Sequence, residues 1–420
     1  MKILHINTFD VTGGAARAAY RLHTGLKYLN QQSIMYVLHR TSDDSSVIKF
    51  TPSTDIIPRF RRIFCIKAIS SDYNRYRKSR PDGLDIFSDD RSVFGSNSLS
   101  QLPQSDIINL HWVANFIDYQ FFFGSIPRNT PCIWSLHDMN PFTGGCHYSL
   151  DCEKYNNGCG ACPQLGSRDE NDLSHQIWKR KRKAYSHLTP NNLQIVALNQ
   201  WMAEKVRQSE LLHNFPVEII PNGVDTNIFS PRDQYVAREA LEVPQDASVL
   251  LCVAHGINNR RKGFPELVKT VGGLRDLKNL FILSLGDRKP NINTWSPHLH
   301  LGYINNDRLL SLVYSAADLF VIPAQQDNLP NTVLESIACG TPVLGFDVGG
   351  IPDMISNNIT GLLVPHGDII ALQTAIIQLL KDRTRLKKMA IDCRRIAVEK
   401  FSQEIQVRRY IELYEKVLTC

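Results

Sequence analysis

No apolar run in the 420 residues approaches the ~18 needed to cross a bilayer, which argues against a membrane-spanning helix. The opening stretch, Met1 to Phe9, is partly apolar, yet His5 and Asn7 interrupt it before a signal-peptide core could form. It reads as the first strand of a cytoplasmic protein. Nucleic-acid motifs are absent, and a formal charge of +6 permits an anionic substrate or membrane surface without demanding nucleic acid. Thiols are present but uneven. Cys146, Cys152, Cys159 and Cys162 cluster, whereas Cys65, Cys132, Cys252, Cys339, Cys393 and Cys420 are scattered, as small core or surface residues of a reducing compartment would be.

What is present is an ordinary globular composition, 43% hydrophobic and 21% charged, in a chain too long for one core. Ile219 to Pro231 is punctuated by proline and glycine as a linker is, which puts a boundary near Asn222. The most informative stretch runs from Ala317 to Leu344. Two short apolar runs, Leu319 to Ile322 and Pro342 to Leu344, bracket a polar loop and a helix opening near Asn331, a βαβ unit of a parallel sheet. Ligands lie at the carboxyl ends of such strands, where the chain places Asp327 and, eight positions on, Glu335. The helix start would offer unpaired N–H groups to an anion. A diphosphate sugar has both an anion and hydroxyls, although two solvated surface carboxylates would leave the same pattern.

This segment, with its two acids separated by seven residues and its Gly-Thr-Pro-Val strand at residues 340–343, resembles the retaining family 4 glycosyltransferases of the GT-B fold. The resemblance implies two Rossmann-like doubly wound α/β domains facing a cleft: an acceptor-binding domain over 1–222 and a nucleotide-sugar-binding domain over 223–402. A final helix, about 403–420, is expected to return to the first domain. It also implies that Asp327 grips donor-sugar hydroxyls and Glu335 the ribose, with Asn328, Leu329, Pro330 and Asn331 lining the donor loop. The usual Glu-Gly reads Asp327-Asn328 here, which puts the sugar in question.

Other features fall into place beside it. Strand, Gly13-Gly14 and helix bring backbone amides toward a ligand, or form only a tight turn; the resemblance sets this loop against the donor diphosphate. Two strands end on His111 and on His137-Asp138, and the resemblance puts His137, as a catalytic residue, beside the donor sugar and leaving phosphate, with Asp138 a donor contact. In the second half, a strand from Ser248 leads into His255-Gly-Ile-Asn-Asn-Arg-Arg-Lys-Gly263, whose Arg261 and Lys262 suit a diphosphate. The family's Lys-Gly matches Lys262-Gly263, while its earlier arginine is replaced by Ile257, so Arg261 is expected to substitute. Gly349 and Gly350 bring further amides near phosphates or acceptor.

Two segments stand outside that scheme. Pro58 to Arg80 carries eight cations against Asp72 alone, interleaved with apolar residues, and suits either an anionic membrane surface or a solvated helix face. Phe142 to Pro163 spaces its four cysteines by five, six and two residues, compact enough for Cys146, Cys152, Cys159 and Cys162 to hold a structural zinc, with His147 a spare ligand; disulfides or free thiols are the alternatives. Together these features lead to a retaining transfer of sugar from a UDP- or GDP-linked donor to a glycan, in particular a lipid-linked oligosaccharide of O-antigen, capsule or exopolysaccharide synthesis, at the cytoplasmic face of the inner membrane. No metal or other cofactor is required for that chemistry. An epimerase of the same fold and a non-catalytic sugar-nucleotide scaffold are the rival readings.

Overall fold

The computed structural model describes residues 1–127, 130–253, 256–292 and 294–419. The chain divides into two compact units, Met1–Pro221 with Gln406–Cys420, and Asn222–Ile405. Among the described residues each unit is one all-parallel sheet with helices.

Unit 1 runs β1 (Lys2–Phe9), α1 (Gly14–Tyr28), β2 (Gln32–His39), β3 (Val47–Lys49), α2 (Ile56–Asn74), β4 (Ile107–Leu110), α3 (Tyr119–Ser125), β5 (Cys132–Leu136), α4 (Leu173–Tyr185), β6 (Leu193–Ala197), α5 (Gln200–Gln208) and β7 (Val217–Ile219). Its strand order is β3-β2-β1-β4-β5-β6-β7, so the order reverses between β1 and β4. The central strands read as apolar runs because both faces are covered: β4 and β5 are buried throughout. Side chains alternate between the two faces. Leu4 and Ile6 join Leu110, Trp134, Leu136 and Ile195 on one side, while Ile3 joins Ile107, Ile133 and Val196 on the other.

Unit 2 runs α6 (Gln234–Ala240), β8 (Ser248–Val253), α7 (Phe264–Gly272), β9 (Leu280–Leu285), β10 (His298–His300), α8 (Asp307–Ala316), β11 (Leu319–Ile322), α9 (Asn331–Ala338), β12 (Val343–Phe346), β13 (Gly361–Val364), α10 (Ile369–Lys381) and α11 (Arg383–Phe401). The order β10-β9-β8-β11-β12-β13 reverses between β8 and β11. Its core gathers Leu250, Ile282, Val321 and Leu344 from the strands with Leu267, Leu372 and Ile376 from α7 and α10.

The last helix, α12 (Gln403–Thr419), supplies Val407, Tyr410, Leu413 and Tyr414 to the second face of the unit 1 sheet. Two polar residues in otherwise apolar strands find their partners there. Asn109 donates to Tyr414 Oη at 2.8 Å, and the Ser135 and Tyr410 hydroxyls share a 2.7 Å hydrogen bond.

Helix α2 differs from the rest in having no buried residue. At about 3.6 residues per turn, Ile56, Ile57, Phe60, Ile63 and Phe64 fall on one side of it, all exposed, with Arg59 and Arg61 at the margins. Among the described residues no helix is long and apolar enough to cross a membrane.

Candidate active site

In an open parallel sheet, ligands bind beyond the strand carboxyl ends where the strand order reverses. In unit 2 that place lies after β8 and β11. The chain leaving β8 passes Gly256 and makes a short 3-10 turn over Arg260–Lys262, with Asn259 Oδ1 accepting from the Arg261 N–H at 3.0 Å. His255, which the sequence placed in this loop, lies outside the described residues. Gly263 ends the turn at φ 71°, and a Cβ there would overlap the Pro323 carbonyl just past β11, so only glycine lets the two strand-end loops pack together. The Gln325 N–H then donates to Arg261 O at 2.7 Å.

Asp327 is the centre of this arrangement. Its Oδ2 lies 2.9 Å from Arg261 Nη1 and 2.9 Å from Lys262 Nζ, and its Oδ1 accepts from the Asn328 N–H at 2.9 Å. Burial alone would raise the carboxyl; Lys262, then Arg261, outweigh it and hold Asp327 well below the usual carboxylate range. Arg261 is buried and also donates to Gln326 O at 3.0 Å, while the Lys262 side chain stays 37% exposed. Two cations around one carboxylate leave one net positive charge, with Lys262 on the solvent side. Gly350 N–H donates to Asp327 O at 2.9 Å, and Gly349, at φ 58°, sits so close to that carbonyl that a Cβ would collide with it. The loops carrying Arg261, Lys262, Asp327, Asn328, Gly349 and Gly350 therefore form one connected cluster.

Leu329 and Pro330 complete the loop, and Asn331 opens α9, whose preceding Pro330 provides no side-chain cap. Glu335 lies one turn further and is buried, its Oε2 accepting from Tyr314 Oη at 3.2 Å.

In unit 1, Gly13 and Gly14 are exposed at the start of α1, which lacks a side-chain cap. His111 follows β4 and His137 follows β5. His137 Nε2 lies 3.0 Å from His111 Nδ1, and His111 Nε2 lies 2.9 Å from His5 Nδ1 on β1. His5 was not apparent as a site residue, because a histidine inside an apolar strand gives no sign of which face it shares with its neighbours. Asp138 is committed within the unit: its Oδ2 accepts from Trp112 Nε1 at 2.7 Å and His147 Nδ1 at 2.6 Å, and its Oδ1 from the Asn140 N–H at 2.9 Å.

The cysteine loop brings its four clustered thiols to one place. Cys146, Cys152, Cys159 and Cys162 do line one cavity of about 20 Å³, but all four are free thiols, and among the described residues no group of three or more His, Cys, Asp or Glu side chains is placed to hold a metal ion. Burial pushes Cys159 up to about 12 and Cys162 up to about 11. His147 is no spare ligand, since its Nε2 bonds Ser88 Oγ at 2.8 Å and its Nδ1 meets Asp138. The loop also rests on protein contacts. Cys162, Leu165, Leu173, Ile177 and Phe87 build a small core beneath it, and the buried Lys181 ammonium holds the Asn140 and Thr143 carbonyls.

Residues 247–382, which contain the Asp327 cluster, match the family described as glycosyl transferases group 1. N-acetyl-alpha-D-glucosaminyl L-malate synthase of Bacillus anthracis is 26% identical over 218 residues, covering 49% of this chain and 55% of that protein. The chain thus spans about half the length of that relative. WcaC of Escherichia coli K12, a putative colanic acid biosynthesis glycosyl transferase, is 23% identical over 367 residues, 82% of each chain. HepE of Anabaena, solved in complex with UDP-glucose, superposes with a TM-score of 0.65 at 14% identity over 99% of this chain and 100% of that one, a likeness of fold. That fold is GT-B, with which the two Rossmann-like sheets agree.

Proposed function

We propose, for a chain that carries a group 1 glycosyl transferase domain over residues 247–382, that it moves a sugar from a nucleoside diphosphate sugar to a hydroxyl of a glycan acceptor. The observation that carries this reading is the Asp327 cluster at the reversal point of the unit 2 sheet. It supplies one net positive charge and a solvent-facing Lys262 beside an uncapped helix start, a set suited to a diphosphate. As the glycosidic bond breaks, negative charge concentrates on the leaving diphosphate. Lys262 and Arg261 then bind the transition state more strongly than the ground state. Asp327 holds both cations in place and offers its remaining acceptor capacity to a donor hydroxyl, and Glu335 takes the ribose. His137 contacts the sugar or the departing phosphate. Retention of configuration follows from the family resemblance, as does a reaction in which no metal takes part. HepE holds UDP-glucose, which makes a uridine donor the first choice.

The acceptor is a lipid-linked glycan of surface-polysaccharide synthesis, met at a membrane surface. Support comes from WcaC, a putative colanic acid biosynthesis enzyme, and from α2, whose exposed apolar side lies between cations. The test is to incubate the protein with a panel of nucleotide sugars, with and without a membrane extract, and to follow nucleoside diphosphate release. Release that depends on extract supports the proposal. Conversion of the nucleotide sugar without acceptor would replace it with epimerisation, and binding without any turnover would leave only a scaffold.

A further inference from the structure

Three imidazoles from three adjacent strands form a continuous string in unit 1. His5 on β1 meets His111 after β4 at 2.9 Å, and His111 meets His137 after β5 at 3.0 Å, with successive ring centroids 5.2 and 5.3 Å apart. His5 and His111 are buried, and His137 is partly exposed at the strand-end side. Each link joins an Nδ1 to an Nε2, so a string of neutral rings has only two proton arrangements, one for each direction of donation.

The buried end decides between them. His5 Nε2 is buried and has no hydrogen-bond partner. Were the string to run from His137 toward His5, that nitrogen would carry an orphaned N–H, and buried unpaired donors are rarer in proteins than under-used acceptors. Run the other way, His5 Nδ1–H donates to His111 Nε2 and His111 Nδ1–H donates to His137 Nε2. A neutral His137 then carries its proton on Nδ1. Charging the string is opposed throughout: burial and then His23 push His5 well below its ordinary value, burial and the flanking histidines do the same to His111, and burial holds His137 down to about 4 against the pull of Asp138.

We infer that His5 and His111 are positioning residues that fix His137 as the neutral Nδ1–H tautomer, so that it meets its ligand only as a hydrogen-bond donor to an oxygen and cannot serve there as a general base. The statement rests on the proposed transferase reading, in which His137 touches the donor sugar or its phosphate. In that setting His137 binds and orients, and the acceptor proton leaves by another route.

The test is a two-bond 1H–15N spectrum of the full chain with labelled histidine, near neutral pH and without substrate. Wild type is expected to show His137 protonated on Nδ1. His111→Asn, whose amide can replace the Nδ1 donor, should keep that pattern, and His111→Leu should release a mixture of tautomers. With an active donor, kcat/KM should fall about tenfold in His111→Leu, the worth of one misplaced neutral hydrogen bond, and be restored in His111→Asn. A wild-type His137 protonated on Nε2 overturns the inference, and so does a Leu variant with an unchanged spectrum. The wild-type spectrum decides even if a variant fails to fold. A chain that transfers no sugar at all counts against the proposed function, while the tautomer result stands apart from it.

Discussion

At the scale of single residues, the Asp327 cluster separates stability from chemistry. Lys262 is the half-exposed member, so Lys262→Ala should leave the fold intact and lower kcat by the equivalent of about 2.7–4 kcal/mol, the cost of losing one transition-state donor. Steady-state kinetics beside a thermal melt would separate the two. Asp327→Asn should instead destabilise unit 2 by about 3–5 kcal/mol, toward the lower end because Lys262 can turn to water. The folded carboxyl titrates below the usual 3.8. Its pairing therefore stabilises fully above about pH 4 and is lost as pH falls through the folded value. Urea denaturation of wild type and Asp327→Asn from pH 6 downward should show curves that converge in acid. The positions of the Lys262-Gly263 pair after β8 and of Asp327 and Glu335 after β11 were legible because short local spacing marks them. The partners of Asp138 were not, since nothing local marks Trp112 and His147 as the groups its carboxylate meets.

At the scale of elements, the apolar strand runs and the Gly-Pro punctuation disclosed the parallel sheets, because strands covered on both faces need no alternation to mark them. The cysteine loop shows the limit of spacing. Four thiols within seventeen residues are compatible with a metal clip, but the packing that Phe87, Leu173 and Ile177 give the loop comes from remote partners that no local spacing reveals. Helix α2 was legible as basic and apolar by turns, whereas the exposure of its apolar side belongs to the structure alone. Co-sedimentation with phosphatidylglycerol vesicles, compared with phosphatidylcholine, should detect binding by the wild-type chain. Phe60→Asp with Phe64→Asp should weaken it at least about tenfold, since each buried phenylalanine contributes about 1.5–3 kcal/mol.

At the scale of the whole molecule, the chain's final helix completes its first sheet. Tyr410 and Tyr414 are buried and hydrogen-bonded to Ser135 and Asn109. Burying a tyrosine of about 150–250 Å² contributes at most about 4–6 kcal/mol at ~25 cal/mol per Å². A chain stopped after Ile405 should therefore lose unit 1 cooperativity while unit 2 keeps its own transition, which limited proteolysis and calorimetry would separate. Residues 222–405 are contiguous and can finish folding as they are made. Residues 1–221, made before them, cannot: Ile3, Ile107, Ile133 and Val196 lack the cover of α12 until that helix clears the exit tunnel. Order of synthesis and order of maturation are thus reversed between the two units, and the one made earlier is the one that must be sheltered longer from aggregation in the cell.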